Sequence, residues 1–512
     1  METSTGTIGR RLVLAVLVFT WSGAPANGAP GRTPGGVEDL LDAVISRNAA
    51  AVQELLEDDA ADAGAASVDG TTALHWAVQS DDHEIAELLI AAGAGVTARN
   101  RYGVTPLHLA AVNGSASMIE ILLAAGADAN ETGNEGETVL MTAARTGRED
   151  AVRVLLDAGA EVDAREDWHG QTALMWAVGQ GHAGVARLLI AHGADVNALS
   201  ARRDWERQNT AEPRQKWLPL GALSPLYFAA RDGCMECVGV LVEAGADVDF
   251  QDPEGVTPLV SAIINGHYDA AAELLEHGAD PNLADSDGRS PLFSAVDFNT
   301  MPASNRPAPS VLENEVSSLD LIRILLARGA DVNAQLLRQQ AYRTKLDRGN
   351  DGVLSTGTTP LLRAAKAADL EAMRLLLERG ADPTIATRAG VNPLMAAAGL
   401  GTSDSDSTGR YKTEDEINQA IRMLIDAGLD VNATNERGQT ALHGAALLGF
   451  DEVVRFLAAN GARLDVEDSR GFTPLQVALG EAGGFGFAGT GSEVHESTAA
   501  LIRELMSAGT AP

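Results

Sequence analysis

The chain has 512 residues, of which 45% are hydrophobic but only 4% aromatic, and its formal net charge is −33. So acidic a surface argues against nucleic acid as a ligand, because phosphates are bound by basic faces. The apolar content is sufficient for a large core. The 53 glycines indicate close packing of small side chains rather than a core filled with aromatic rings.

The N-terminal residues have the pattern of a secretory signal peptide. An arginine pair at 10–11 precedes a mostly apolar run at 12–21, and Ala-Pro-Ala at 24–26 is typical of a cleavage site. The run is too short to span a bilayer, and no later run is long enough. We expect a signal peptide over 1–26, a linker over 27–36 and an exported chain, periplasmic or extracellular, with no integral membrane segment. General secretion and twin-arginine export both remain open.

A short phrase then recurs, as TALHWA, TPLHLAA, TALMWA or SPLYFAA. A Thr, Ser or Asn in front of the phrase is a good helix N-cap, and the proline suits the first helical turn. A second helix follows and ends at a glycine, where a left-handed cap is expected. Six of the ten intervals between the phrase leucines are 33 residues. These leucines stand at positions 74, 107, 140, 174, 226, 259, 292, 361, 394, 442 and 475.

This pattern resembles the ankyrin repeat in its phrase T-P-L-H-x-A-A, its 33-residue period and its ending G-A-D-V-N. Eleven repeats are recognisable, and we number them from repeat 1, with Leu74, to repeat 11, with Leu475. Residues 37–68 fit a degenerate N-terminal capping repeat, because they keep the two-helix pattern but lack the phrase. The resemblance implies an all-α fold, an ankyrin-repeat solenoid of about 11–12 helix–turn–helix units with turn or hairpin fingers, the repeats covering 69–510.

Insertions interrupt the regular period at five places. Two of them lengthen the turn between repeats and predict fingers that are basic on an acidic protein. The other three lie between the two helices of repeats 7, 9 and 11. Because alternate repeats carry them along one edge, we expect these three loops to pack together or to build one surface. The insertions lie near 199–220, 299–317, 335–356, 400–415 and 480–496.

The resemblance implies a monomeric protein that binds a protein partner, with no cofactor and no enzymatic activity. His75, His108 and His443 in the phrase then tie turns together by hydrogen bonds. In this family the turn tips and the end of the first helix face the partner, and Trp, Tyr and Arg dominate interface energetics. The partner-binding candidates are Arg101, Tyr102, Arg145, Trp168, His169, Arg202, Arg203, Trp205, Arg207, Trp217 and Arg231. One alternative is a secreted effector that binds host proteins.

Cys234 and Cys237 are the chain's two cysteines and lie at the start of a second helix, where the helix dipole lowers the pKa of a thiol. Three interpretations remain open: packed free thiols, a local disulfide, or a redox-active pair. A disulfide needs Cβ atoms about 3.8 Å apart, closer than an undistorted helical turn provides, which favours the free thiols. The redox interpretation gives a second alternative function, a redox or enzyme-accessory protein.

The loop at 404–415 partly resembles a calcium site. Asp404, Asp406, Thr408 and Asp415 match positions 1, 3, 5 and 12 of a calcium-binding loop. The twelfth position should be a glutamate, which here comes one residue later, at Glu416. Since Thr413 and Glu416 also fit a capping box that starts a helix, we expect a polar loop, with calcium binding as the alternative.

Overall fold

The computed structural model describes residues 37–57, 61–203, 220–300, 314–338, 355–401, 412–482 and 494–508. Within these ranges the chain forms 24 helices and no β-strand beyond isolated bridges. None of the described helices has the length and apolar character needed to cross a membrane. The predicted signal peptide lies outside the described residues.

The helices are α1 (Val37–Ile45), α2 (Ala49–Glu57), α3 (Ala73–Gln79), α4 (His83–Ala91), α5 (Pro106–Asn113), α6 (Ala116–Ala124), α7 (Val139–Thr146), α8 (Glu149–Asp157), α9 (Ala173–Gly179), α10 (Ala183–Ala191), α11 (Pro225–Asp232), α12 (Met235–Glu243), α13 (Pro258–Ile264), α14 (Tyr268–Glu276), α15 (Pro291–Thr300), α16 (Ser318–Ala327), α17 (Pro360–Lys366), α18 (Leu370–Glu378), α19 (Pro393–Ala397), α20 (Glu414–Asp426), α21 (Ala441–Leu447), α22 (Asp451–Ala459), α23 (Pro474–Ala478) and α24 (Glu496–Ala508). Each consecutive odd–even pair forms one repeat.

Two compact units are present, 1–95 and 96–512. The first contains the capping repeat and repeat 1, in which α1 packs on α2 and α3, and α4 packs on α2 and α3. The second contains repeats 2–11. There, each first helix packs on its own second helix and on the first helices of its neighbours, and the second helices form a parallel layer behind them. This arrangement confirms the predicted all-α repeat solenoid.

The phrase folds as its residue types predict. Thr105 is the N-cap of α5 and its hydroxyl accepts a hydrogen bond from the backbone N–H of His108 at 3.2 Å, with Pro106 in the first turn. Leu107 is fully buried between the two layers. At the end of α8, Gly159 has φ +87° although no atom lies within 4 Å of where a Cβ would stand. The left-handed backbone, not crowding, therefore explains the glycine.

The histidines of the phrase are structural. His75 and His108 each hold Nδ1 close to the hydroxyl of the N-cap threonine of their own helix, at 2.7 and 2.9 Å. His443 does the same with Thr440 at 3.0 Å, and its Nε2 donates to the carbonyl of Phe472 in the next repeat at 3.1 Å. The bond to Phe472 confirms the predicted role in tying turns together for His443, whereas these bonds of His75 and His108 fasten the N-cap of their own helix.

Asparagine side chains join neighbouring repeats of the second compact unit. Asn130 donates to the carbonyl of Gly159 at 3.1 Å and accepts from the N–H of Glu161 at 2.7 Å. We call this pair of bonds the asparagine clasp. At Asn130 the bonded residues are 29 and 31 positions apart in sequence. At Asn197 they are 48 and 50 positions apart, because the first finger is inserted between them. The same clasp is formed by Asn282, Asn333 and Asn432.

Both fingers rise from antiparallel stems. In the first stem, the N–H of Ser200 donates to the carbonyl of Leu223 at 3.0 Å and the N–H of Arg203 to that of Leu220 at 2.8 Å. In the second, Leu336 exchanges backbone hydrogen bonds with residues 357 and 358 at 2.8 and 3.0 Å. The predicted hairpin geometry is therefore present at the base of each finger, and the fingertips lie outside the described residues.

The three insertions between helices return to the array by bonding the backbone of the preceding repeat. Asn314 donates to the carbonyl of Gly266 at 2.8 Å, and the ammonium of Lys412 donates to the carbonyl of Lys366 at 2.6 Å. His495 bonds a carbonyl of repeat 10 through Nε2 at 3.0 Å. The prediction that the three loops form one surface concerns residues outside the described part of the chain.

Candidate partner-binding surface

An enlarged turn presents Trp168 and His169. The interval between the phrase leucines of repeats 3 and 4 is 34 residues, and the extra residue falls in this turn. Asp252 organises an ordinary turn, but here the longer Glu166 takes that place. Its buried carboxylate accepts from the N–H groups of Trp168, His169 and Gln171 at 2.6, 2.8 and 2.9 Å. A longer side chain thus spans a longer turn and fixes its tip, where Trp168 is 55% exposed.

The stem of the first finger is attached to the same turn. The N–H of Ala201 donates to the carbonyl of His169 at 2.6 Å, and Arg202 lies in the β-bridge of the stem. The guanidinium of Arg203 donates to the carbonyl of Trp168 and lies 5.3 Å from the centre of its ring. The hydrogen bonds fix the backbone of the turn, and the cation–π contact packs the guanidinium of Arg203 against the exposed ring.

A second aromatic tip lies two repeats earlier. Tyr102 is 49% exposed and carries the guanidinium of Arg101 at 4.8 Å from the centre of its ring. The side chain of Asn100 accepts from the N–H of Tyr102 at 3.0 Å, and Asn134 of the next turn donates to the carbonyl of Tyr102 at 2.7 Å. In both exposed aromatic tips, side chains of other residues therefore hold the backbone of the aromatic residue by hydrogen bonds.

Two arginine–aromatic pairs lie on the layer of first helices. Arg145, at the end of α7, places its guanidinium 5.5 Å from the ring centre of Trp176 on α9. Arg231 stacks on Phe228 of its own helix, α11, at 4.7 Å. Trp176 and Phe228 stand two residues after the phrase leucine, on helices that pack together. We call Arg145, Trp176, Phe228 and Arg231 the arginine–aromatic cluster.

The two arginines of the cluster differ in their electrostatic surroundings. Arg231 forms an ion pair with Asp232 at 2.8 Å. Among the described residues, no carboxylate lies within ion-pair distance of the guanidinium of Arg145. Burial lowers the pKa of Arg145, and the negative charge of Glu137 acts in the opposite direction. Arg145 is thus a half-buried cation with no counter-ion in the described part of the chain.

The candidates from the sequence are only partly brought together. Trp168, His169, Arg202 and Arg203 meet at the base of the first finger, whereas Trp205, Arg207 and Trp217 lie outside the described residues. Sequence reasoning missed two members of the cluster, Trp176 and Phe228. The available signal was a large aromatic residue at a phrase position where repeats 6, 7, 9 and 10 carry serine, alanine or glycine, although repeat 1 also has a tryptophan there.

The calcium hypothesis remains a prediction. Asp404, Asp406 and Thr408 lie outside the described residues, and Asp415 lies in α20, where its carboxylate accepts from Gln419 at 2.8 Å. The capping box is present, since Glu416 and Thr413 exchange hydrogen bonds at 2.9 and 3.2 Å. No cluster of three metal-ligating side chains occurs in the described ranges.

Cys234 and Cys237 are joined by a disulfide, which confirms the second of the three interpretations, and the favoured expectation of free thiols is wrong. That expectation placed both residues on a helical turn. Cys234 is instead the N-cap of α12, with φ −81° and ψ 86°, and this non-helical backbone lets its side chain face Cys237 across a Cα–Cα distance of 5.2 Å. Its sulfur also accepts the N–H of Cys237 at 3.1 Å, in place of the usual capping oxygen.

Comparison with known families decides what the repeats are. The family model "Ankyrin repeats (3 copies)" matches residues 40–133, 116–200, 226–336 and 413–484, and "Ankyrin repeat" matches 356–388. The chain belongs to the ankyrin repeat family. An ankyrin repeat array of this kind is a scaffold for protein–protein interaction.

Several curated proteins share part of the array. The human SH3 and multiple ankyrin repeat domains protein 2 is 33% identical over 24% of this chain and 8% of its own length. The human ankyrin repeat and SOCS box protein 16 is 31% identical over 35% of this chain and 48% of its own. The neurogenic locus notch homolog protein 1 of Xenopus tropicalis is 28% identical over 32% and 7%. The chain thus spans less than half the length of these relatives.

Proposed function

We propose that this ankyrin repeat protein is an exported, non-enzymatic scaffold that binds a protein partner through its turn tips, its first helices and the base of its first finger. The observation that carries the proposal is the exposed Trp168, held in place by Glu166 and Arg203. A buried carboxylate fixes the backbone of the turn, and an arginine of the finger stem packs on the exposed indole. Pre-organised Trp and Arg side chains are the usual energetic centres of protein interfaces.

A binding role also accounts for the position of the other candidates. Tyr102 is an exposed aromatic tip, and Arg145 and Arg231 close the first helices of repeats 3 and 5. The phrase histidines serve the fold and not a reaction, because each bonds the N-cap threonine of its own helix. These observations favour recognition over catalysis.

Export is supported by two observations. The pattern at 1–26 is that of a cleavable leader, and the disulfide between Cys234 and Cys237 fits an oxidising compartment. The test is mass spectrometry of the full chain recovered from cytosolic, periplasmic and medium fractions. We expect the exported fraction to begin after residue 26, and an unprocessed chain confined to the cytosol would contradict export.

Partner binding is tested by site-specific photo-crosslinking in extract from the native compartment. A photo-reactive phenylalanine replaces Tyr102 in one variant and Met506, an exposed residue of α24, in the control. We expect a discrete protein adduct at position 102 that excess unmodified protein competes away. Trp168→Ala should lower the affinity for the captured protein at least tenfold. No adduct at 102, or the same adducts at both positions, would contradict the proposal.

A further inference from the structure

We propose that the arginine–aromatic cluster binds an extended acidic segment of the partner, with two carboxylates three residues apart. This rests on the proposed binding function and adds the chemistry and the spacing of the ligand. The occupant is a protein segment in polyproline II conformation, which places every third side chain on one side of the chain.

The charge of the ligand follows from Arg145. A half-buried guanidinium loses part of its hydration, and an anion that accepts its hydrogen bonds compensates this loss more strongly than a neutral acceptor does. Among the described residues none does so, although the chain as a whole carries a net charge of −33. The indole N–H of Trp176 lies beneath the same guanidinium but is itself buried, without an acceptor in the described ranges. The donors that suit a carboxylate supplied by a partner are therefore those of the half-buried Arg145 guanidinium.

The spacing follows from the helices that carry the rings. Trp176 and Phe228 occupy the same position on α9 and α11, which pack side by side. Axes of packed helices are about 8–10 Å apart, and each guanidinium lies over its ring at 5.5 or 4.7 Å. Arg145 stands on α7 and Arg231 on α11, with α9 between them, but Arg145 reaches the ring on α9, which puts the separation of the two cations on the order of 10 Å. Polyproline II rises about 3.1 Å per residue, so a carboxylate and the third residue after it are about 9 Å apart on the same side.

The two arginines should contribute unequally. The carboxylate of Asp232 already accepts a hydrogen bond from the guanidinium of Arg231 at 2.8 Å. A guanidinium has five N–H donors, so Arg231 keeps donors for a second carboxylate but gains less from it. Arg145, without a described carboxylate, gains the full charge-assisted bond. We therefore expect Arg145 to dominate recognition of the acidic segment.

A single-stranded nucleic acid is the other polyanion that stacks on aromatic rings. The observations favour a peptide, because the long-range field of a chain with net charge −33 repels a continuous phosphate backbone. A peptide with two carboxylates meets the same pair of cations at far smaller total charge.

The experiment is a selection of random 12-residue peptides displayed on phage against the full oxidised chain. We expect Asp or Glu pairs three residues apart to be enriched, and synthetic copies to bind at least tenfold more weakly to Arg145→Gln. Arg231→Gln should cause a smaller loss. Arg187→Gln is the matched control, because it removes the same charge from the second-helix layer, where Arg187 is exposed and bonds Glu236. Arg145→Lys, which keeps the charge, should bind between wild type and Arg145→Gln.

Two outcomes would overturn the acidic-segment proposal and leave the binding function standing. One is enrichment of peptides without paired acidic residues, and the other is full binding of acidic peptides by a folded Arg145→Gln variant. A third outcome, displacement of the peptide by a 20-nucleotide single strand at lower concentration than by the peptide itself, would assign the cluster to nucleic acid. Failure of the crosslink at position 102 would instead reject the binding function itself.

Discussion

Repeats 3–4 and repeats 7–8 use the same contact between first helices for opposite purposes. In each pair, the residue five after the phrase leucine of one repeat meets the residue two after the leucine of the next. Arg145 meets Trp176 in the first pair, and Asp297 meets Arg363 in the second. Arg145 is half-buried without a described counter-ion, whereas Arg363 is 2% exposed and paired. The repeat fixes where the two side chains meet, and their chemistry decides whether the contact is available to a ligand.

The buried ion pair in repeats 7–8, which we call the closed contact, belongs to a larger polar network. Asn299 donates to Asp369 of repeat 8 and accepts from Ser318 of its own repeat at 2.5 Å. Lys366 is also buried there. Charges at these positions therefore stabilise the array in one region, while in the other they remain free to recognise a partner.

The largest effect is expected from breaking the closed contact. Asp297→Asn leaves the guanidinium of Arg363 buried beside a neutral side chain, which should lower the free energy of local unfolding by about 3–5 kcal/mol. Hydrogen exchange of α15 and α17 measures it, because repeat arrays open locally. The double variant Asp297→Leu with Arg363→Met should be close to wild type. A loss below about 1 kcal/mol in Asp297→Asn would remove the difference between the two regions.

The next effect concerns the repeats that carry the arginine–aromatic cluster, which we call the open region. No buried ion pair stabilises the cluster among the described residues. The disulfide between Cys234 and Cys237 starts α12, which packs on α11, the helix that carries Phe228 and Arg231. Because the disulfide closes a ring of few residues, reduction should lower the free energy of opening α12 by only about 1–2 kcal/mol. Hydrogen exchange with and without reductant measures this, and a Cys234→Ser, Cys237→Ser variant should not respond to reductant. Equal protection of α12 in the oxidised and reduced protein would show that the disulfide does not stabilise this region.

A third effect concerns repeat 10, where the buried ionisable side chain of His443 should make local stability depend on pH. Burial lowers the pKa of His443, and the hydrogen bond to Phe472 and the charge of Asp468 oppose this only in part. The unfolded chain therefore binds the proton more readily than the folded one. Stability from His443 is complete above about pH 6.5 and falls as the pH drops below it. Hydrogen exchange of α21 between pH 8 and 5 should show this loss in wild type and not in His443→Asn. Parallel profiles would contradict it.

The smallest effect is expected at the open contact itself. Arg145→Gln leaves no described carboxylate without its partner and relieves a half-buried charge, while it loses the stacking on Trp176. Protection of α7 and α9 should therefore change by no more than about 1 kcal/mol. A loss as large as that of Asp297→Asn would show that Arg145 serves the fold and not a ligand.

Much of the fold was predictable because each rule acts within one repeat. The N-cap threonine, the proline of the first turn and the left-handed glycine each depend on neighbours a few residues away. Thr105 and Gly159 adopt the predicted roles for this reason. The stems of the fingers were also predictable as hairpins, since their insertion left the flanking repeats intact.

The contacts that define the open and closed regions could not be read in the same way. Arg145 meets Trp176 in the next repeat, and Asp297 meets Arg363 across a long insertion. Such pairs emerge only when neighbouring repeats are aligned on their leucines. The disulfide differs from the favoured expectation for a local reason: one residue decides whether Cys234 lies inside the helix or caps it, and element ends are the least certain part of a sequence pattern.

The asparagine clasp has a consequence for engineering. At Asn197 and Asn333 the clasp passes across the base of a finger, yet it keeps the two bonds found at Asn130, where no finger is inserted. The register of the array is thus independent of what the hairpin carries. Each stem is therefore a site for loop grafting. A foreign loop inserted between the stem residues Ser200 and Leu223 should be displayed from the array without disturbing the repeats on either side.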